Sequence, residues 1–402
     1  MKAVATYVKV FLLLIALYFS FGVVSCMLPD SGIKRHVAES APALADEGIY
    51  PTAIINLEQC RMDNFTDALI MNQIYSIDRT RPVRSAMRMT RMSEKGCDWD
   101  QTGLLLRTVN GETLEEQHYA RYWHGSSFLY RMLFIVADYV TIQLILFIVS
   151  SLLIVILTCT CFQKAGWMKT IALALGFLLT YGFVTQFSLQ FFPILVLTTV
   201  ACLIVANCRD TDGLGMPFFV IGSLSCYFDL LTTPFLTLGL PLAVMVTLSD
   251  DDGFGIKCNT LKITRFSLLW GIGFALTFVT KWALATLVLG ENIFDDAIEA
   301  SLYRMEADEY TRFDALTMNF GMLSFGIIGI AAGVFLLLHF IRRKRYHWRK
   351  AVVFLLIALM PYVWYLVLAN HSYLHWWFTY RLQAISIVCL FLMLAEDGKI
   401  SI

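Results

Sequence analysis

Asp63 and Asp67 are the carboxylates best spaced for chemistry in this sequence. A separation of four positions places both side chains on one face of a helix. Two carboxylates on one face can supply a general base or ligands for a divalent cation, so we take them as candidate catalytic residues. The alternative is the exposed polar face of an amphipathic helix, which the apolar spacing predicts over residues 55–78.

Two further charges interrupt apolar stretches: Asp229 within 217–248, and Lys281 within 266–289. A charged side chain inside a membrane costs about 2.5–3.5 kcal/mol on insertion scales, so it usually faces a cavity or a partner. We therefore predict that both residues line a substrate-binding cavity. The alternatives are that Asp229 caps a helix, that Lys281 extends its amino group to the membrane surface, or that the two pair.

His124, His371, His375 and Arg381 are expected at the ends of membrane crossings and are further candidates for substrate binding. His371 and His375 are four positions apart, as in half of a metal site. No glutamate follows in the HExxH arrangement, so a metalloprotease is not indicated, and an interfacial position is the alternative for the histidines. The guanidinium of Arg381 can clamp a phosphate through two parallel hydrogen bonds.

The composition places these residues in an all-α integral membrane protein. The chain has 402 residues, 58% hydrophobic and 15% charged, with a mean hydropathy of +0.65. A soluble domain is nearer half apolar and a quarter charged. The formal net charge is zero, so the chain lacks the basic field that a nucleic-acid partner requires.

The hydropathy pattern divides the chain into three regions. Residues 1–28 form a first transmembrane helix, 29–127 an extracytoplasmic loop domain, and 128–402 a multi-helix transmembrane domain. A surface helix is expected near 126–137, where the loop domain ends. Cys60 and Cys97 share that domain and could form a disulfide if it lies outside the cell, and no paired CxxC spacing indicates zinc.

The topology depends on the apolar stretch 217–248, which is too long for one crossing of about 20 residues. We predict a helical hairpin broken around Asp229–Pro234. The basic block at 342–350 is expected in the cytoplasm. Counting back from that block gives a bundle of about ten transmembrane helices, with both termini cytoplasmic and a multi-pass location in the plasma membrane.

This order of one N-terminal helix, a long acidic outer loop, a surface helix and many crossings resembles the GT-C class of membrane glycosyltransferases. The resemblance implies transfer of a sugar from a polyprenyl-phosphate carrier to a cell-surface glycan or lipid-linked acceptor, with an acid of the first outer loop as base. It assigns that role to Asp63 or Asp67. Lys281 and Arg381 would meet the carrier phosphate. Pro29-Asp30 stands where the class has an adjacent acidic pair.

The resemblance gives His124 and His371 a place in the pocket lining. It leaves a divalent cation open as a cofactor, and it names the lipid-linked donor, the acceptor and the bilayer as partners. The alternatives are a transporter or flippase for a lipid-linked saccharide, which broken helices with buried charge favour, and a non-catalytic membrane assembly protein. We find no internal repeat of the 217–248 break in the sequence, which weakens the transporter alternative.

Overall fold

The computed structural model describes residues 2–249, 254–342, 345–395 and 397–398, and it is almost entirely helical. The first part of the chain contains seven helices and one short hairpin of strands: α1 (Lys2–Met27), α2 (Asp30–Glu47), α3 (Asn64–Tyr75), α4 (Pro82–Arg88), β1 (Thr90–Ser93), α5 (Gln101–Val109), β2 (Glu115–His118), α6 (Ser127–Val136) and α7 (Tyr139–Ala165). The strands β1 and β2 pair antiparallel, with Thr90 opposite His118.

The remaining helices are α8 (Trp167–Leu179), α9 (Phe192–Asn207), α10 (Gly215–Phe228), α11 (Leu236–Leu248), α12 (Ile256–Leu289), α13 (Ile293–Met305), α14 (Arg312–Gly321), α15 (Phe325–Ile341), α16 (Trp348–Ala358), α17 (Met360–Val367), α18 (Ala369–Leu374), α19 (Trp376–Thr379) and α20 (Ala384–Ala395). Short 3₁₀ turns occur at Glu58–Cys60, Gly182–Phe187, Thr211–Leu214 and Tyr380–Gln383. Strands β3 (Arg345–Tyr346) and β4 (Asp397–Gly398) pair antiparallel. Arg343 and Lys344 of the basic block lie outside the described residues.

The lengths and apolar composition of the helices support the prediction of a membrane protein. Fewer of them are long enough for a full crossing than the sequence suggests. Among the described residues, five helical segments are long and apolar enough to cross a membrane, or six if α14 and α15, which bend by 68°, count as one span. The expected count of ten is not confirmed. Helices α8, α9, α10 and α11 have 13, 16, 14 and 13 residues, whereas a straight crossing needs about 20.

The region 29–127 is a packed helical unit rather than an open loop. Helices α2, α3, α5 and α6 share one apolar core, which contains Ile33, Ile74 and Phe134. Helix α3 lies between α2, α5 and β1, so almost all its side chains are buried. The prediction of an amphipathic helix over 55–78 is therefore wrong in extent and exposure, because neighbouring elements cover both of its faces. Helix α6 does form where a surface helix is expected, and it packs on α1 and α2.

The stretch 217–248 does form two helices with a break between them, as its length requires. Helix α10 ends at Phe228 and α11 begins at Leu236. Within the break, Leu231 has a φ of 68°, a left-handed conformation that is costly for a branched side chain. Helix α10 packs closely on α12, since a Cβ at Gly273 would lie 2.2 Å from the carbonyl oxygen of Phe219. The glycine thus allows the two backbones to approach.

Side-chain contacts between elements define two ends of the bundle. At the end that carries 29–127, which we call the domain end, the contacts include Arg381 with Arg61, Lys281 with Met87 and His371 with Leu231. At the opposite end they include Lys164 with Ala206, Lys262 with Asp212 and Lys350 with Ser249. The break of the α10–α11 hairpin therefore lies at the domain end.

Candidate functional site

The guanidinium of Arg381 is the centre of the candidate site. Arg381 lies on the 3₁₀ turn before α20 and is 2% exposed. Its Nη2 donates to the carbonyl oxygens of Gln59, at 3.3 Å, and Arg61, at 3.1 Å. Its Nε and Nη1 are buried and have no hydrogen-bond partner. A buried cation with unused donors is unfavourable unless a ligand satisfies it, so these donors point to an anion site.

Arg381 lines a cavity of about 340 Å³ enclosed by α7, α8, α9, α11 and α20. It lies at the domain end of the cavity, where α9, α11 and α20 begin and α8 ends. The lining is overwhelmingly apolar, and the hydroxyl groups of Thr180, Thr198 and Thr233 are among the few polar groups in it. The hydroxyl of Thr198 is buried without a partner. The arrangement suits an apolar chain with an anionic group beside Arg381.

Asp63 lies close enough to Arg381 for the charge of the guanidinium to act on its carboxyl group. It is the N-cap of α3, where its Oδ1 accepts a hydrogen bond from the backbone N–H of Thr66 at 3.0 Å, while its Oδ2 is buried without a partner. Burial raises the pKa of Asp63 to about 6, and the hydrogen bonds from Thr66 and the charge of Arg381 oppose that increase. A carboxylate with a free oxygen and a pKa near neutral can accept a proton.

Asp67 is fully occupied by contacts within the protein. Its carboxylate accepts hydrogen bonds from the hydroxyl of Tyr139 at 2.7 Å, the hydroxyl of Ser188 at 2.9 Å and the backbone N–H of Leu189 at 3.0 Å. Burial and then the neighbouring Asp63 raise the pKa of Asp67 to about 7. With both oxygens engaged, Asp67 holds the segment 188–190 in place, and Asp63 becomes the stronger candidate for a base.

Gln190, which sequence reasoning missed, connects Asp67 to Asp229. Its backbone N–H donates to Asp67 Oδ1 at 3.2 Å, and its Nε2 donates to Asp229 Oδ1 at 3.3 Å. Asp229 also accepts from the backbone N–H of Thr232, at 3.0 and 3.1 Å, and from the Thr232 hydroxyl. Asp229 therefore stabilises the break of the hairpin. A polar Gln190 within an apolar stretch was the signal available in the sequence.

His371 and His375 lie beside this break, with ring centroids 4.8 Å apart. The Nε2 of His371 is 2.8 Å from the carbonyl oxygen of Leu231, to which it donates. Burial lowers the pKa of His371 well below its usual value and that of His375 to about 4. Both rings are thus neutral near pH 7. The His375 ring stacks on Phe378, Phe378 contacts Phe191, and the Arg381 guanidinium lies over the Phe191 ring.

His124 and Lys281 belong to a different cluster. The Nζ of Lys281 donates to the carbonyl oxygens of Ala86, at 3.4 Å, and Met87, at 3.0 Å, and lies over the Trp123 ring. The Nε2 of His124 bonds to the Tyr119 carbonyl oxygen at 3.0 Å. Burial lowers the pKa of His124 to about 3.

The structure therefore gives the two buried charges of the sequence separate partners. Lys281 is 0% exposed, so its amino group does not reach solvent. Its hydrogen bonds go to the last turn of α4, whereas those of Asp229 go to Thr232 and Gln190. Six of the eight predicted site residues thus cluster around the hairpin break and Arg381: Asp63, Asp67, Asp229, His371, His375 and Arg381.

Neither a metal site nor the expected disulfide is found in the described part of the chain. Within it, no three His, Cys, Asp or Glu side chains are placed to hold a metal ion together. Cys60 and Cys97 are free thiols, the first buried and the second half-buried, so the disulfide considered from the sequence does not form.

Comparison with known protein families, curated proteins and solved structures finds no match to this chain. The site must therefore be interpreted from its own geometry.

Proposed function

We propose that this protein is a membrane glycosyltransferase that moves a sugar from a polyprenyl-phosphate carrier to a cell-surface glycan or a lipid-linked acceptor. The observation that carries the proposal is the position of Arg381. Its two unpartnered donor nitrogens lie at one end of an apolar cavity, and its charge acts on Asp63, which has a free buried oxygen. The cavity can hold the apolar chain of a lipid phosphate, the arginine can bind its phosphate, and the carboxylate can act as the base in glycosyl transfer.

In this proposal Arg381 binds the phosphate of the carrier while the polyprenyl chain enters the cavity between α8, α9 and α11. The charged guanidinium can donate charge-assisted hydrogen bonds to phosphate oxygens. The same contacts stabilise the charge that grows on the leaving phosphate. The existing bonds of Nη2 to Gln59 and Arg61 keep the guanidinium in place, so Nε and Nη1 are the groups that bind the ligand.

Asp63 is the proposed base. An acceptor hydroxyl attacks the anomeric carbon of the sugar, a new C–O bond forms, and the bond between that carbon and the phosphate oxygen breaks. The electron pair of the broken bond stays on the phosphate, and the hydroxyl proton moves to Asp63 Oδ2.

We infer an orientation with both termini in the cytoplasm and the domain end outside. We count six spans, with α14 and α15 as one of them, and assume that α8–α11 cross the membrane an even number of times. The N-terminus and the basic block at 342–350 then lie on the same side of the membrane. If each of those four helices crosses the membrane, the total is the ten crossings expected from the sequence. Lysines and arginines at the opposite end favour its cytoplasmic placement, and a plasma-membrane location follows from the proposed acceptor.

A transporter or flippase for a lipid-linked saccharide is the second candidate, and the break at Leu231 favours it. Discontinuous helices with strained backbone are common at transporter sites. The Asp229 carboxylate at this break is already hydrogen-bonded to Thr232 and Gln190, so the geometry favours transfer over ion-coupled transport.

The test uses the full chain reconstituted in liposomes with a panel of polyprenyl-phosphate-linked hexoses and pentoses. Glycosyl transfer predicts release of free polyprenyl phosphate when an acceptor glycan is added, and no release with Asp63→Asn. Movement of intact lipid-linked sugar across the bilayer without cleavage would instead establish a flippase. Absence of both activities with every sugar would leave the protein without the proposed function.

A further inference from the structure

A second cavity of about 400 Å³ lies on the other side of the hairpin break, between α12, α13 and α17. Aromatic side chains dominate its wall, including Phe274, Phe278, Trp282 and Trp364. Most of the remaining wall is aliphatic. Such a lining suits the apolar chain of an amphiphile rather than a sugar alone.

Two arginines line this cavity, and both have unused capacity for an anion. Arg121 pairs with Asp296 at 3.2 Å, but its Nε is buried without a partner. Arg304 donates to the carbonyl oxygen of Ala300 at 2.6 Å and, among the described residues, forms no ion pair with a carboxylate. Both guanidinium groups lie within 6.0 Å of the Tyr122 ring centroid, so both belong to the end of the cavity that Tyr122 lines.

The hairpin break separates this cavity from the one that holds Arg381. Leu231 lines the second cavity, and Thr233, which is only two residues further along the chain, lines the first. The left-handed Leu231 directs its side chain to the second cavity, while its carbonyl oxygen accepts the hydrogen bond of His371. The molecule thus has two apolar cavities, each with arginine at its wall, on either side of one rigid turn.

We propose that the second cavity is a separate binding site for a lipid with a phosphate headgroup. The apolar chain lies against Phe274, Phe278 and Trp364, and the phosphate is bound by Arg304 together with the Nε of Arg121. Recognition of a phosphate by two guanidinium groups is stronger and more specific than by a single point charge. This site goes beyond the proposed glycosyl transfer, because it requires no reaction in the first cavity.

The experiment is photo-crosslinking of the full chain in nanodiscs. One probe is a phosphatidic acid with a diazirine in its acyl chain, and the other is a diacylglycerol with the same chain and no phosphate. The expected result is labelling of α12, α13 and α17 by the phosphate probe. Arg304→Gln should lower it roughly fivefold, as loss of one charge-assisted contact to phosphate requires.

Arg349→Gln is the matched control, because Arg349 is exposed on α16 at the opposite end of the bundle, away from this cavity, and should leave labelling unchanged. Ala275→Trp is a second variant on the exposed side of the cavity, and it should block labelling by filling the space. Arg381→Gln should not change labelling of α12 and α13, which separates this site from the first cavity.

Three results would overturn the proposal. Equal labelling by the diacylglycerol probe would show ordinary bilayer lipid in the cavity. Unchanged labelling in both Arg304→Gln and Ala275→Trp would show that the arginine and the cavity do not bind the probe. Absence of labelling of α12, α13 and α17 by the phosphatidic acid probe would show that the cavity does not bind a lipid with a phosphate headgroup. None of these results depends on sugar transfer.

Discussion

The guanidinium of Arg381 donates a hydrogen bond to the carbonyl oxygen of Arg61 at 3.1 Å, two residues before Asp63 in the chain. This contact joins the last apolar segment of the protein to the domain formed by residues 29–127. It places a cation and a carboxylate from distant parts of the sequence in one neighbourhood.

Asp63→Asn should abolish sugar transfer while leaving the fold intact. Asparagine is as good an N-cap as aspartate, so α3 keeps its first hydrogen bond. It cannot accept the acceptor proton, and loss of a general base lowers a rate by roughly 10²–10⁴-fold. The measurement is release of polyprenyl phosphate, with thermal unfolding as the control. Normal release by a folded Asp63→Asn variant would remove Asp63 from the base role.

The pH dependence of transfer should report the same carboxylate. Burial raises the pKa of Asp63 to about 6, so the ionised base is complete above that pH and is lost as the pH falls through it. The rate below pH 6 should decrease roughly tenfold per unit, as expected for a single ionising base. Initial rates between pH 4.5 and 8, corrected for stability, are the measurement. A flat profile over this range would contradict an Asp63 base.

Asp67→Asn should destabilise the protein far more than Asp63→Asn does. Asparagine in place of Asp67 would put an amide N–H₂ where one carboxylate oxygen now accepts two hydrogen bonds. The donors that it would face are Tyr139 and Leu189 at Oδ2, or Ser188 and Gln190 at Oδ1. Leaving such buried donors unpaired costs about 1–3 kcal/mol for each group. Thermal unfolding in detergent, compared with Asp63→Asn as the matched variant, measures the difference. Equal stability of the two variants would contradict the positioning role of Asp67.

The first cavity should bind the carrier through its apolar wall as well as through Arg381. Thr198→Trp should fill the space between α8, α9 and α11 and lower carrier binding by at least about tenfold, because the chain loses its buried surface. Thr198→Val should bind normally and be at least as stable, since the Thr198 hydroxyl is buried without a partner. Carrier binding is measured by fluorescence quenching with a polyprenyl-phosphate probe. Normal binding by folded Thr198→Trp would place the chain elsewhere.

Close packing of α10 on α12 should depend on Gly273. Alanine there would place a Cβ 2.2 Å from the carbonyl oxygen of Phe219, so the helices must separate. Overpacking of this kind costs about 1–3 kcal/mol. Gly271→Ala is the control on the same helix, because a Cβ at Gly271 meets no atom within 4 Å. Unfolding of both variants is the measurement, and equal stability would contradict the packing argument.

Local patterns in the sequence were sufficient for several features. Hydropathy alone indicates an all-helical membrane protein, because long apolar runs cannot remain in water. The length of 217–248 and its acid at Asp229 predict a break, which the structure has between α10 and α11. The charges at Asp229 and Lys281 can also be selected from the sequence, since each interrupts an apolar run where a charge is costly.

The tertiary structure decided which of these residues belong together. Asp63 and Asp67 look alike in the sequence, yet only Asp63 retains a free buried oxygen, because Ser188 and Leu189 return to Asp67 from more than a hundred residues away. Helix α3 looks amphipathic but is buried, since helices from other parts of the chain cover it. Such partners come from chain folding over long separations, and local periodicity carries no information about them.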